Sequence, residues 1–319
     1  MRLRSGIAQA IAAATLLAGT VAQADWAPDG PIKFVSGFGT GGSVDALARK
    51  VAEHIEDKRG WDVVVENRPG GGGVAMFSQL AHMDPDGQTI GIGVTFPIMM
   101  NLVVRGDKLP FDNDSFDYLG TVAVAPLSIV ARADAPFDTF PELLDHARET
   151  DGATLATGGP AQEMVVAAVE AQSPTGLKSV PHKSGAASLQ SILGGHVDAG
   201  FSGGAHVQYV EAGDMKVIAS ATKERDPTNP DRMTLVEHGY PYWIDAYFHV
   251  AAPAGLPEDA RSALEQALDE AVSSEEVAGL IRGMSQRPVN VGGEATAAMM
   301  REGTESVLNL VEASGRGKK

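Results

Sequence analysis

The chain contains no cysteine. That excludes a disulfide framework, thiolate chemistry and a lipid anchor on a cysteine. Positive charge is scarce: 25 Lys and Arg stand against 41 Asp and Glu, for a formal net charge of −16. A surface of that sign repels phosphate backbones and anionic membranes, so no nucleic-acid partner and no membrane-surface partner is expected. An anionic ligand would meet a repulsive far field, so its site must be locally positive. Long apolar runs are missing beyond the N-terminus, and a bilayer span needs roughly 20 such residues. Enzyme signatures are missing too: there is no G-x-S-x-G elbow, no H-E-x-x-H and no P-loop. The eight histidines form no i, i+4 pair. No catalytic residue, metal ligand or cofactor is therefore assigned, and Asp84 and Asp86, which bracket Pro85, read as turn chemistry.

What is present begins with an export signal. Arg2 and Arg4 form a basic start, residues 7–18 a short apolar stretch, and Ala22-Gln23-Ala24 an A-x-A cleavage site. Residues 1–24 read as a secretory signal peptide, with the mature chain outside the cytoplasm. The remainder is long enough for two lobes.

The most informative stretch follows at once. Ile32-Lys33-Phe34-Val35 predicts a strand, and Ser36-Gly37-Phe38-Gly39-Thr40-Gly41-Gly42 a glycine loop. A helix then starts near Val44, with Val44, Leu47, Ala48, Val51, Ala52 and Ile55 on one face, Ser43 as its N-cap and Gly60 as its stop. Glycines let backbone N–H groups approach a ligand, and a helix N-terminus carries roughly half a positive charge, so this arrangement suits an anion.

Strand and helix signals alternate along the rest of the chain, as in an α/β protein. Strands are expected at residues 63–65, 89–94, 127–131, 154–157, 196–201 and 217–220. Helices are expected at 75–83, 141–149, after Pro160, at 184–193 and after Pro257. A domain boundary is expected near 121–126. Thr157-Gly158-Gly159-Pro160 repeats the opening pattern of strand, glycine turn and helix, with Pro160 in the first helical turn.

From these patterns the candidate ligand-binding residues are Phe38, Gly39, Thr40, Gly41, Gly42 and Ser43 in the first loop. Thr95 and Phe96 lie just past a strand end, where such sheets bind ligands. Thr157, Gly158 and Gly159 would face the first loop, and Lys183, beside His182, offers a positive group. Asp45 has two readings, complementing the helix dipole or meeting the ligand. So does Arg68, which suits a bidentate carboxylate but equally pairs with Glu66 or braces the glycines at 70–73. Asp198 reads as structural.

Several ordered segments resemble one known family. Pro31-Ile32-Lys33-Phe34-Val35 and the run Gly41-Gly42-Ser43-x-Asp45-x-x-Ala48-Arg49 are similar to its first strand, loop and helix. Val63-Val64-Val65-Glu66-Asn67-Arg68-Pro69-Gly70 is the most specific segment. Asp84-Pro85-Asp86-Gly87, Leu193-Gly194-Gly195-x-Val197-Asp198, Thr234-Leu235-x-Glu237-x-Gly239-x-Pro241 and Ala252-Pro253-Ala254-Gly255-x-Pro257 follow in order. The family is that of the tripartite tricarboxylate transporter substrate-binding proteins, the Bug-type periplasmic receptors. The resemblance implies a two-lobed, type II-like periplasmic binding fold with a ligand cleft between the lobes. Lobe 1 would comprise residues 25–125 plus 247–319, and lobe 2 residues 126–246. It also implies a monomer in the periplasm that captures a small carboxylate and delivers it to integral-membrane transporter subunits. His182-Lys183-Ser184-Gly185, Thr157-Gly158-Gly159-Pro160 and Glu163 depart from the family pattern, so a relative's ligand does not carry over.

Two other readings remain at this point. An exported sensor would share the fold. A nicotinamide-dependent oxidoreductase would use Gly37, Gly39 and Gly42 as G-x-G-x-x-G with Glu66 on the ribose. Export, and the lack of a catalytic group beside the loop, speak against the latter.

Overall fold

The computed structural model describes residues 26–226 and 229–315. The expected signal peptide, residues 1–24, lies outside the described residues.

β1 (Ile32–Ser36) leads through the glycine loop into α1 (Ser43–Arg59). All six residues of the expected apolar stripe on α1 are buried, and each fully buried Val, Leu or Ile contributes roughly 1.5–3 kcal/mol. Gly60 ends the helix at φ 67°, a conformation that favours glycine. Ser43 is the first helical residue, and the N-cap is Gly42, with no side-chain cap. The expected Ser43 cap is thus not formed, since Ser43 already lies inside the helix.

β2 (Val63–Asn67), a short 3₁₀ turn Gly71–Gly73, α2 (Val74–Leu80), β3 (Thr89–Val94), α3 (Thr95–Arg105) and β4 (Phe116–Ala125) complete the first pass. The chain then builds β5 (Ser128–Arg132), α4 (Phe140–Glu149), β6 (Ala153–Thr157), α5 (Pro160–Gln172) and β7 (Leu177–Pro181). It continues through α6 (Gly185–Leu193), β8 (Ala199–Ser202), α7 (Val207–Glu211) and β9 (Met215–Ser220). It returns in β10 (Ala246–Pro253) and closes with α8 (Glu258–Ser273), α9 (Glu275–Gly283), β11 (Arg287–Pro288) and α10 (Gly293–Ala313).

The strands form two sheets with one plan. The first runs β11-β4-β10-β3-β1-β2, the second β7-β6-β8-β5-β9. In the first, β1 lies parallel between β2 and β3, and β10 inserts antiparallel between β3 and β4. In the second, β6 lies parallel between β7 and β8, and β5 inserts antiparallel between β8 and β9. β1 and β6 therefore hold equivalent places, each the first parallel strand of its sheet. The inserted strand is the one that crosses between sheets: the chain leaves between Ala125 and Ser128 and returns between Ser220 and Ala246. This is a two-lobed periplasmic binding fold of the α/β class.

Candidate functional site: two glycine loops at equivalent strand ends

The loop after β1 is held from beneath by one asparagine and one aspartate. Asn67, at the end of β2, donates from Nδ2 to the Phe38 carbonyl at 3.0 Å and to Asp45 Oδ1 at 2.9 Å. Its Oδ1 accepts from the Thr40 hydroxyl at 3.2 Å and from Arg49 at 3.2 Å. Asp45 Oδ2 accepts from the Gly41 N–H at 2.9 Å, and Oδ1 pairs with Arg49 at 3.0 Å. The Asp45 side chain thus reaches back from the first turn of α1 to the loop, and the N–H it accepts from, on Gly41, precedes the helix. Burial alone raises the Asp45 carboxyl. The hydrogen bonds from Gly41, Arg49 and Asn67 outweigh burial and hold it below the usual carboxylate range. Both of its oxygens are committed inside the protein, so its role is to hold the loop.

With the base fixed, Gly39, Thr40, Gly41, Gly42 and Ser43 are exposed and Phe38 is half-buried. α1 has no side-chain cap, and the geometry of a helix leaves its first-turn N–H groups pointing out through this loop. Gly37 has a different task. A Cβ on it would lie 2.9 Å from the Gly73 Cα, so it lets the loop after β1 pack on the glycine turn after β2.

That turn explains the glycines at 70–73. All four have positive φ, from 60° to 149°, and a Cβ on Gly72 would lie 2.8 Å from Pro97 Cβ. Arg68 donates to Glu66 at 2.8 Å and to Gln79 at 2.8 Å, which ties this segment to α2. Glu66, the acid a dinucleotide reading needs for the ribose, is the partner of Arg68.

Thr95 and Phe96 sit elsewhere than the loops. Thr95 is fully buried; its hydroxyl donates to the Asp245 carbonyl at 3.0 Å and accepts from the Tyr247 N–H at 3.1 Å. Phe96 is buried in the core. Thr95 fastens α3 to the start of the returning strand β10.

In the second sheet Thr157 ends β6 fully buried, and its hydroxyl oxygen has no hydrogen-bond partner. Its carbonyl accepts the His182 N–H at 2.7 Å, which brings the end of β7 beside the loop. Gly158 is exposed and donates its N–H to Gln162 Oε1 at 2.5 Å; Gly159 is the extended N-cap of α5. α5, like α1, has no side-chain cap, and Pro160 occupies its first turn. Lys183 is exposed, next to Ser184, which caps α6 by accepting the Ala187 N–H at 3.2 Å. Asp198 accepts from the N–H and hydroxyl of Thr154 at 2.7 Å each and is structural.

Among the described residues, two cavities lie at the junction of the sheets. The larger, about 380 Å³, is lined by Val124, Pro126, Val207, Asp245, Tyr247 and Arg287 among others. The smaller, about 230 Å³, includes Thr95, Lys223, Trp243 and Asp245. Neither is lined by a glycine loop. Enclosed volume and chemistry thus point to different places. The loops have the exposed backbone and uncapped helix ends that suit a carboxylate, and the cavities do not.

Asn67, Asp245 and Tyr247 carry more of this geometry than the sequence indicated. Asn67 alone had a visible signal, as a polar residue closing a β-branched strand.

The fold and its paired loops define a periplasmic-type solute-binding protein. The chain belongs to the tripartite tricarboxylate transporter receptor family, whose description matches residues 47–315. It is similar to the UPF0065 protein of the gbd 5′ region in Cupriavidus necator, 27% identical over 321 residues, covering 99% of this chain and 97% of that one. A solved TctC solute-binding protein from Polaromonas without ligand is 24% identical. It covers 89% of this chain and 99% of that one, with a TM-score of 0.81. MatC from Rhodopseudomonas palustris, with bound malate, is 22% identical over 89% of this chain and 99% of that one, with a TM-score of 0.62.

Proposed function

We propose that this protein is a periplasmic receptor that captures a small carboxylate between its two glycine loops and delivers it to integral-membrane transporter subunits. The observation that carries this reading is the duplicated plan. Equivalent strands, β1 and β6, each end in an exposed glycine loop before a helix with no side-chain cap. Two such sets of backbone N–H groups supply local positive potential on a chain whose net charge is −16. The malate bound by one structural relative is a ligand of this chemistry.

Residues 25–125 with 247–319 would move as one body and 126–246 as the other, turning about the two crossings near 125–126 and 246–247. The carboxylate docks first on Gly39 to Ser43. Contacts from Thr157, Gly158, Gly159 and Lys183 then favour the closed arrangement, and water is expelled. Thr95 serves this motion by holding the junction. No bond is made or broken, and residues 1–24 act only in export.

The test is calorimetric titration of the mature chain with mono-, di- and tricarboxylates, malate included, and with NAD. One carboxylate is expected to bind saturably. Gly41, at φ 83° with open space around it, is the position to perturb. Gly41→Val strains the loop by roughly 1–3 kcal/mol without touching the core. It should weaken binding at least about tenfold, roughly 1.4 kcal/mol, with the protein still folded. Unchanged affinity in that variant, or binding of NAD and of no carboxylate, overturns the reading.

A further inference from the structure

We propose that the larger junction cavity is a second binding site, distinct from the glycine loops, for a small apolar molecule bearing a primary ammonium group. Its volume, about 380 Å³, falls within the roughly 300–1,000 Å³ of small-molecule sites. Val124, Ala125, Pro126, Val207, Pro288 and the ring of Tyr247 give it an apolar wall.

The charges in that wall are equal in number but differ in their partners. Glu224, Asp226 and Asp245 line it together with Arg225, Arg282 and Arg287. Two of those arginines are committed to acids outside the lining. Arg225 donates to Glu237 at 2.9 and 3.0 Å and to the Pro230 carbonyl at 3.0 Å. Arg282 pairs with Glu275. Arg287 lies against the Tyr247 hydroxyl. Asp226 is held inward, accepting from the Ser128 hydroxyl at 3.4 Å.

Asp245 is the carboxylate whose neighbouring cation, Lys223, is shared with another acid. It accepts the Lys223 N–H at 3.2 Å, but the Lys223 ammonium reaches Glu302 at 2.6 Å. Burial, with Glu224 and Glu302 nearby, pushes its carboxyl up to about 6, as expected for an acid short of a counter-charge. An ammonium has three donors and no acceptor. It can meet Asp245 while an apolar body covers the remaining wall. A carboxylate would meet Asp245 and Glu224 as like charges, with Arg287 the guanidinium of the wall set against them.

The cavity takes Val124, Tyr247 and Arg287 from the first lobe and Val207 and Thr222 from the second. Its shape therefore depends on how the lobes sit, and an occupant is coupled to their arrangement by linkage.

Phenethylamine is the probe, with 3-phenylpropionate as its charge-reversed analogue, titrated into the mature protein by calorimetry and saturation-transfer NMR. Saturable one-to-one binding of the amine is expected. Asp245→Asn keeps the acceptor for Lys223 N–H and removes the charge, and should weaken the amine at least tenfold. Val207→Trp, at a half-buried wall position, should block it, while Gly41→Val should leave it unchanged. Melting temperatures report whether each variant is folded. The proposal is overturned by no saturable amine binding at millimolar concentration or by equal affinity in Asp245→Asn. It is also overturned by competition from 3-phenylpropionate, or by loss in Gly41→Val with retention in Val207→Trp.

Discussion

His249 gives the structure its most quantitative test. It lies in the middle of β10, fully buried, with neither ring nitrogen hydrogen-bonded. Its ring stacks on Phe77 at 5.2 Å and meets Tyr118 at 5.8 Å. Burial drives its pKa down from 6.5 to about 3. An unfolded chain takes up the proton near pH 6.5, and the folded chain does not until about 3. Across that window the unfolded state binds more protons. The stability at stake is fully present above about pH 6.5 and is lost progressively as pH falls towards 3. Between about pH 7 and pH 5 the loss works out to about 2 kcal/mol. The perturbation is His249→Leu, a similar volume without a titratable group. Urea unfolding of both chains at the two pH values is the assay. The variant should lose about 2 kcal/mol less than the wild type on acidification, since packing changes and all other titrating groups are common to the comparison. Parallel losses in the two chains would refute a buried, neutral His249.

Asp45→Ala removes the acceptor for the Gly41 N–H, Asn67 and Arg49, and should cost about 1–3 kcal/mol at neutral pH by urea unfolding. Its folded pKa is lowered, so this contribution stands above the ordinary carboxylate value and disappears as pH falls through the folded one; the wild type and the variant should converge in acid. Gly93→Ala would put a Cβ 2.5 Å from Phe77 Cε2. It should destabilise by about 1–3 kcal/mol through overpacking, read as a lower melting temperature with an unchanged circular dichroism spectrum.

Much of the fold was legible where local chemistry agrees with tertiary need. The stripe on α1, the stop at Gly60, Pro160 at the start of α5 and the exact span of β3 follow from periodicity and backbone preference. The Ser43 cap failed because the helix begins one residue earlier, with Gly42 at the cap position and Ser43 already helical. β4 and β10 escaped notice for a physical reason. Gly120 at φ 142° and two register shifts break the alternation that marks a strand, and β10 is buried on both faces. α3 was hidden by Pro97, its third residue, which reads as a stop although a first helical turn tolerates it. β7, α9 and α10 were also absent from the pattern reading, although α10 carries a clear buried stripe through Met300, Val307 and Leu310. The two glycine loops could be read because each is contiguous. The junction cavity could not, because its wall gathers residues from 124–126, 222–226, 245–247 and 282–288.

The inserted strands also set an order of assembly. Every strand of the second sheet lies in one contiguous span, from β5 to β9. The first sheet lacks its interior strand until β10 arrives, and the bonds that seat β10 join residues 150 positions apart, Thr95 and Asp245. Loop closure on that scale is slow relative to local pairing. A chain emerging amino end first therefore completes its second lobe while β3 and β4 still present unpaired edges. Those edges stay open to aggregation until the carboxyl-terminal part is available to close them.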